Sequence, residues 1–370
     1  RYSMKFTCSQ KKFLESILTV QSAVSTRSNI PALEGILIET EKDVLKLAGS
    51  SLNLSIEHHM EATIQKEGSI VVPARLLAEI VRKLPDAEID FSVLSNNNVK
   101  ITCLNSIVTL QGFSADEYPA LPDIAENQPI EINKTLLIDM IRQTTFAVAV
   151  DEARPILTGA LLEVDEKDVT MVCLDGYRLA LRRGVMDIPH DSVRVIIPGK
   201  SLEEIAKIIP EDDRKVSITV SERHVLFDLG YTRIISRVLE GEYINYSQII
   251  PEDYKTRVKV DTKILTSSME RASLIAREGK NNLIRLNIQD QKMMITSNSE
   301  AGQVYEEVPI LLEGEELEIA FNARYFMDML KVIDDPEICL DFTTNVSPCV
   351  VRSIKDHHYT HLLLPVRIYS

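Results

Sequence analysis

Three histidines crowd "DHHYTH" at residues 356–361, and two carboxylates adjoin an arginine at Asp151, Glu152 and Arg154. Metal binding and acid–base catalysis use these residue types. Their spacing serves neither. On a strand His357 and His361 share a face but stand about 13 Å apart, at about 3.3 Å per residue, too far for one ion without a bend. His58 and His59 are consecutive, so a strand points them to opposite faces. Asp151, Glu152 and Arg154 fit a structural ion pair in a loop. No phosphate loop, dinucleotide fingerprint or nucleophile elbow is written anywhere in the chain. The cysteines at 8, 103, 173, 339 and 349 are odd in number and lie mostly in alternating apolar runs. That usage fits buried free thiols of a cytoplasmic protein better than disulfides or metal ligands. The expectation is a protein with no catalytic site, no cofactor and no metal.

The elements that would position any site repeat themselves. "VVPARLLAEIVRKLP" at 71–85 returns in kind as "VIIPGKSLEEIAKIIP" from Val195 and "IAFNARYFMDMLKVI" from Ile319. The residues that stop each apolar run, Pro73, Pro198 and Asn322, are 125 and 124 positions apart. A hairpin pattern follows each copy, at 99–113, 216–230 and 337–353, and another precedes it, at 35–49, 160–174 and 284–298. Before those lie helix-period stretches at 9–23, 134–147 and 262–277. Proline-marked connectors, "EYPALPDIAENQP" and "EYINYSQIIPEDYK", separate the units, and "HLLLPVRI" at 361–368 reads as a last strand. The repeat is far longer than the roughly 20–50 residues of a solenoid, so the 370 residues read as three α+β domains. Arg1–Ser3 reads as an addition ahead of a natural start at Met4, with no secretion signal and no run of about 20 apolar residues to span a bilayer.

A net charge of −14 argues against nucleic acid only if it is evenly spread. The six helix-like stretches carry fourteen Lys or Arg and seven Asp or Glu, which leaves the acid on the remaining chain. A domain of this size is a ball about 35 Å across, and a ring of six leaves a hole of about 35 Å, wide enough for a duplex. Three domains per chain reach six only as a head-to-tail dimer.

The chain resembles the bacterial DNA polymerase III beta subunit family, the sliding clamps, from Met4 to Ile368. The resemblance rests on "MKFT", "VPAR" (72–75), "LDGYRLAL" (174–181), "FNARY" (321–325) and "LPVRI" (364–368). It implies three repeated clamp domains, at 4–124, 129–253 and 257–368, each with two helices packed on antiparallel sheets, in a closed head-to-tail dimeric ring. It implies a non-catalytic processivity factor that encircles duplex DNA without sequence specificity. Its partners would be the replicative polymerase, a clamp loader and other proteins carrying short hydrophobic clamp-binding peptides. By the same resemblance the peptide pocket is lined by Leu157, Leu174, Gly176, Tyr177, Arg178 and Leu179, with Ile244, Ile249, Val346, Leu362, Leu363, Leu364, Pro365, Val366, Arg367 and Ile368. DNA contacts fall at Arg27, Arg75, Arg154 and Lys200, and the dimer contact at Val108, Leu110, Leu274 and Ile275, with Glu300, Glu306 and Glu307 at its edge. Ile244 and Gln248 depart from the family's usual proline and arginine, which alters the pocket rim. In "VVPARLLAEIVRKLP", Leu76, Leu77, Ile80 and Val81 should pack on the sheets while Arg75, Arg82 and Lys83 face DNA. The competing expectation is a three-domain scaffold that binds only protein partners.

Overall fold

The structure, a computed structural model, describes residues 2–368 apart from Glu126 and Asp213. The first repeat runs β1 (Tyr2–Ser9), α1 (Gln10–Gln21), β2 (Gly35–Glu41), β3 (Val44–Ser50), β4 (Leu54–Glu61), β5 (Thr63–Lys66), β6 (Ser69–Pro73), α2 (Ala74–Lys83), β7 (Glu88–Leu94), β8 (Asn98–Cys103) and β9 (Ser106–Gln111). The second has β10 (Ile130–Asn133), α3 (Lys134–Thr144), β11 (Gly159–Leu174), β12 (Arg178–Pro198), α4 (Gly199–Ile208), β13 (Lys215–Val220), β14 (His224–Asp228) and β15 (Thr232–Arg237). The third has β16 (Thr256–Asp261), α5 (Thr262–Ala276), β17 (Leu283–Gln289), β18 (Lys292–Ser299), β19 (Gly302–Gly314), β20 (Leu317–Asn322), α6 (Ala323–Leu330), β21 (Glu337–Phe342), β22 (Cys349–Ser353) and β23 (Tyr359–Leu363).

Three of the strand-to-helix switches have a visible local cause. Pro73 ends β6, and α2 begins directly after it. Asn322 opens α6 by accepting the Arg324 N–H at 2.9 Å, and Asp261 opens α5 by accepting the Ile264 N–H at 2.9 Å. Among the described residues no helix is long and apolar enough to cross a membrane.

The chain divides into two compact units, Arg1–Lys134 with Lys207–Val238, and Thr135–Ala206 with Leu239–Ser370. The first holds a five-stranded sheet, β5-β1-β7-β8-β9, and an eight-stranded sheet, β10-β13-β14-β15-β4-β3-β2-β6. Phe6 and Phe91 stack at 4.6 Å in its core, with Phe13 of α1 edge-on to both. The second unit holds a ten-stranded sheet, β11-β12-β23-β22-β21-β16-β19-β18-β17-β20, with a core that includes Phe321, Phe326 and Phe342.

Sheets cross the repeat boundaries. In the first unit β15 of the second repeat pairs antiparallel with β4 of the first, Thr232 opposite His58. In the second unit β12 of the second repeat pairs in the same way with β23 of the third, Arg178 opposite Leu363. This pairing is why compact units and sequence repeats do not coincide.

Several expectations need correction. The 160–174 stretch is extended throughout as β11, with Glu166 at φ +52° and slips in its pairing with β12 on either side of that residue. The last strand stops at Leu363; beyond it only Val366 makes an isolated bridge, to Ala320. Leu77 and Val81 are fully buried, but Leu76 is 47% exposed and Ile80 only partly covered. No ion pair joins Asp151, Glu152 and Arg154 among the described residues; all three are exposed, and Asp151 accepts the Ala153 N–H at 2.9 Å.

Candidate functional site

The turn after β11 is built by one aspartate. Asp175 Oδ1 accepts the Tyr177 and Arg178 N–H groups at 2.9 and 3.1 Å, and Gly176 between them sits at φ +92°, a conformation that favours glycine. Asp175 Oδ2 accepts from Arg178 Nε at 3.1 Å. Arg178 also donates to Asp328 at 2.8 Å and to the Phe146 carbonyl at 2.9 Å, with its guanidinium 4.5 Å from the Tyr325 ring centroid. Arg178 is therefore buried beneath the turn and does not offer its charge to a ligand. Its effect is to fix Tyr177, which is 62% exposed and stacks on Tyr325 with centroids 6.1 Å apart.

Leu157, Leu174, Leu179 and Leu362 meet in one buried apolar cluster, together with Tyr243. Leu363, the next residue along β23, belongs instead to the core of the third repeat, because neighbouring residues on a strand face opposite sides. Of the other residues named for the pocket, Tyr177, Ile244, Ile249, Val346, Leu364 and Arg367 are exposed, while Pro365, Val366 and Ile368 are partly covered. The Leu364 N–H donates to the Tyr177 carbonyl at 2.9 Å, and the Val366 N–H donates to Ala320 at 2.8 Å. These bonds pin the C-terminal segment beside the turn. Tyr243 donates from its hydroxyl to Val172 at 3.4 Å and so ties the connector carrying Ile244 to β11. An apolar floor under an exposed apolar rim is the chemistry that receives a short peptide through Leu or aromatic side chains.

All six candidate phosphate contacts, Arg27, Arg75, Arg82, Lys83, Arg154 and Lys200, are exposed. Arg75 lies 3.1 Å from Glu79 one turn along α2. As folded, the six α-helices carry twelve Lys or Arg and seven Asp or Glu, since Arg277 and Lys331 fall at helix ends. Several of those cations are already neutralised. Lys134 is buried against Asp212, whose carboxyl is held well below the usual range by hydrogen bonds from Arg214 first and Lys134 second. Arg142 is shared between Asp139 and Asp334, and Arg271 is bound to Glu306. Charge counting in the sequence does not see such internal pairs.

The candidate contact between copies lies on sheet edges. β9 ends the five-stranded sheet, with Val108 partly covered and Leu110 buried in its own unit. β19 pairs with β16 only through its second half, Ile310–Gly314, so residues 302–308 pair with β18 on one side alone. Leu274 is 51% exposed, Ile275 is partly covered, and Glu300 is exposed. Glu306 is bound to Arg271, which holds its carboxyl below the ordinary range, and Glu307 accepts the Tyr305 hydroxyl at 2.7 Å. Ile107 on β9 and Tyr305 on β19, both more than half exposed, escaped the sequence reading. Their signal was an apolar residue placed out of phase with the inward alternation of its strand.

Among the described residues no group of three or more His, Cys, Asp or Glu could hold a metal. His357 sits in the irregular segment before β23 at φ +48°, and His361 is buried on β23 with neither ring nitrogen hydrogen-bonded. Cys8, Cys103, Cys173 and Cys349 are buried, Cys339 is half-buried, and all five thiols are free.

Family models of the DNA polymerase III beta subunit match in order: the N-terminal domain at 4–122, the central domain at 131–245 and the C-terminal domain at 247–367. The Beta sliding clamp of Bacillus subtilis is 41% identical over 378 residues, covering 99% of this chain and all of that one. That of Staphylococcus aureus strain N315 is 35% identical over 376 residues, with the same coverage. The crystal structure of the Bacillus subtilis DNA polymerase sliding clamp superposes with a TM-score of 0.96 at 40% identity, covering 99% of this chain and all of that one. A sliding clamp from Pseudomonas aeruginosa, solved bound to griselimycin, superposes at 0.93 with 27% identity and covers the same shares.

Proposed function

The chain belongs to the DNA polymerase III beta subunit family, the sliding clamps, and from that premise we propose how its own residues carry the clamp's work. It is a non-catalytic processivity factor of DNA replication, built of three clamp domains with helices packed on antiparallel sheets. Its partners are duplex DNA and proteins that present clamp-binding peptides. The domains run 4–124, 129–253 and 257–368 on this reading, and the site of action is the cytoplasm.

One observation supports the closed dimer above the others. Two repeat junctions are satisfied inside the chain, β15 on β4 and β23 on β12. Both use the strand at the end of one repeat and the third or fourth strand of its neighbour. The corresponding strands of the remaining junction are β9 and the first half of β19, and these are the open edges. A second copy, added head to tail, satisfies both, and closing the ring removes every edge of this kind. Ile107, Val108, Leu274, Ile275 and Tyr305 supply its apolar contacts, and Glu300 and Glu307 its rim.

Within the ring, Arg27, Arg75, Arg82, Lys83, Arg154 and Lys200 meet phosphates without reading bases. Partner peptides seat their apolar side chains over Leu157, Leu174, Leu179 and Leu362, against Tyr177, Ile244, Val346 and Leu364. Arg178 and Gly176 shape that site from below.

Loading onto closed circular DNA tests the reading. The expected result is retention on the circle through a high-salt wash and release when the circle is cut. Binding that survives linearisation unchanged, or a protein that sediments as a monomer at micromolar concentration, defeats it and favours a scaffold that binds only proteins.

A further inference from the structure

The first unit contains a cavity of about 180 Å³ that the proposed clamp chemistry does not use. Leu33, Leu54 and Ile235 give it a buried apolar floor, Pro119 and Pro122 one wall, and the turn at 50–53 another. Among the described residues its only ionisable lining residues are His224 and Arg237, in a chain of net charge −14. Neither side chain has a hydrogen-bond or ion-pair partner among the described residues. Arg237, with Arg223 beside it, also depresses the His224 imidazole after burial has done so first, which marks the mouth as electropositive.

The repeat carries this cavity onto the peptide site of the second unit. Leu33 corresponds to Leu157, Leu54 to Leu179 and Pro119 to Ile244, at offsets of 124, 125 and 125 residues. The framing connector corresponds too. "EY" at 117–118 returns at 242–243, and Tyr118 and Tyr243, both buried, each donate a hydroxyl to a carbonyl of the preceding hairpin, Ala48 at 3.5 Å and Val172 at 3.4 Å. What differs is the mouth, cationic and hydroxyl-rich in the first unit and apolar in the second.

We propose that this cavity is a second peptide-docking site, which takes one aliphatic side chain of an extended segment whose next residues are aspartate or glutamate. The volume is below the roughly 300 Å³ at which small-molecule pockets begin and suits a single anchoring side chain. The unpaired Arg237 and His224 stand where the acidic residues would lie, and a charge-assisted contact there gives direction as well as affinity. The proposal extends the reading of the second unit's pocket, from which it takes the correspondence.

The test uses the full-length protein and a fluorescein-labelled peptide with two leucines followed by two aspartates, compared with the same peptide ending in two lysines. A Val346→Arg, Leu364→Asp double variant first closes the second unit's pocket. The acidic peptide should still bind this variant, and adding Arg237→Glu should weaken it roughly tenfold while improving the lysine peptide. Leu52→Asp, at a rim residue 76% exposed, should weaken the acidic peptide without lowering the melting temperature. Loss of all binding in the double variant overturns the second site and leaves the first intact. A two-leucine peptide without charged residues that the double variant binds as well as the unaltered protein does would instead indict the second unit's pocket. Binding indifferent to Arg237→Glu, or a single-stranded oligonucleotide that competes while the lysine peptide binds equally well, overturns the proposal.

Discussion

Two turns one repeat apart, at residues 50–54 and 174–179, do the same geometric job with different chemistry. The first is held by neutral hydroxyls: Ser51 accepts the Leu54 N–H at 3.2 Å, and Ser50 and Ser55 share a hydrogen bond at 2.7 Å. The second is held by charge, with Arg178 clamped between Asp175 and Asp328 and almost out of water. A buried ion pair adds little against an apolar substitute, but removing one partner strands the other. The neutral turn can change residues cheaply, and the charged turn cannot. The fixed turn presents the aromatic Tyr177 of the proposed peptide site, while the neutral turn leaves Leu52 free at the rim of the cavity.

The largest expected effect breaks the charged turn. Arg178→Ala should cost about 3–5 kcal/mol of unfolding free energy, against about 1 kcal/mol for Ser51→Ala. Urea unfolding of both variants measures this; equal costs would mean that the two turns are held alike.

An intermediate effect concerns the strand beside each turn. Ala180 lies opposite His361 in one unit, where Ser55 lies opposite Ile235 in the other. Burial drives the His361 imidazole from an ordinary 6.5 down to about 3. Below pH 6.5 the unfolded chain takes a proton that the folded chain refuses, so stability rises with pH across this window and falls as the medium is acidified. The slope approaches about 1.4 kcal/mol per pH unit at most for this one group. His361→Ile, which copies the first unit, should remove that slope and raise stability by about 1–3 kcal/mol through loss of an unsatisfied buried polar group. An unchanged acid-unfolding profile in the variant would show that His361 is not the group responsible.

The smallest effect separates the two rims. Tyr177→Ala should weaken an apolar clamp-binding peptide roughly tenfold, about 1.4 kcal/mol, while Leu52→Ala leaves that peptide untouched. Fluorescence polarisation distinguishes them, and a loss with Leu52→Ala alone would reverse the assignment of the sites.

Much of this was legible in the residues. The stops at Pro73, Pro198 and Asn322 fixed the register of the three repeats because proline and a capping asparagine act locally. Leu157, Leu174, Leu179 and Leu362 lie together in one buried apolar cluster. Hidden were effects that depend on distant partners. Arg178 reads as a pocket-lining residue, and the sequence does not show that its guanidinium is paired with Asp328, 150 residues away. Lys134 reads as a helix cation and is consumed by Asp212. Leu363 follows Leu362 in the chain but faces another core, since a strand's alternation is known only once its end is known. The cavity over Leu33 and Leu54 could not be seen at all, because neither the empty space nor the missing partner of Arg237 is written in one dimension.

The half-open β19 has a consequence for how the molecule comes into being. Translation of a single chain completes two of the three kinds of junction, in first-order steps that need no neighbour. The third waits for an encounter, so its rate falls with the square of the chain's abundance. On the proposed contact, a newly made copy would carry two complementary open edges until it met a second. If the angle between successive copies strayed from that of a closed pair, the same two edges would grow a filament. On the proposed closed pair, variants that leave β9 and β19 open but change how they meet should first be visible as polymer.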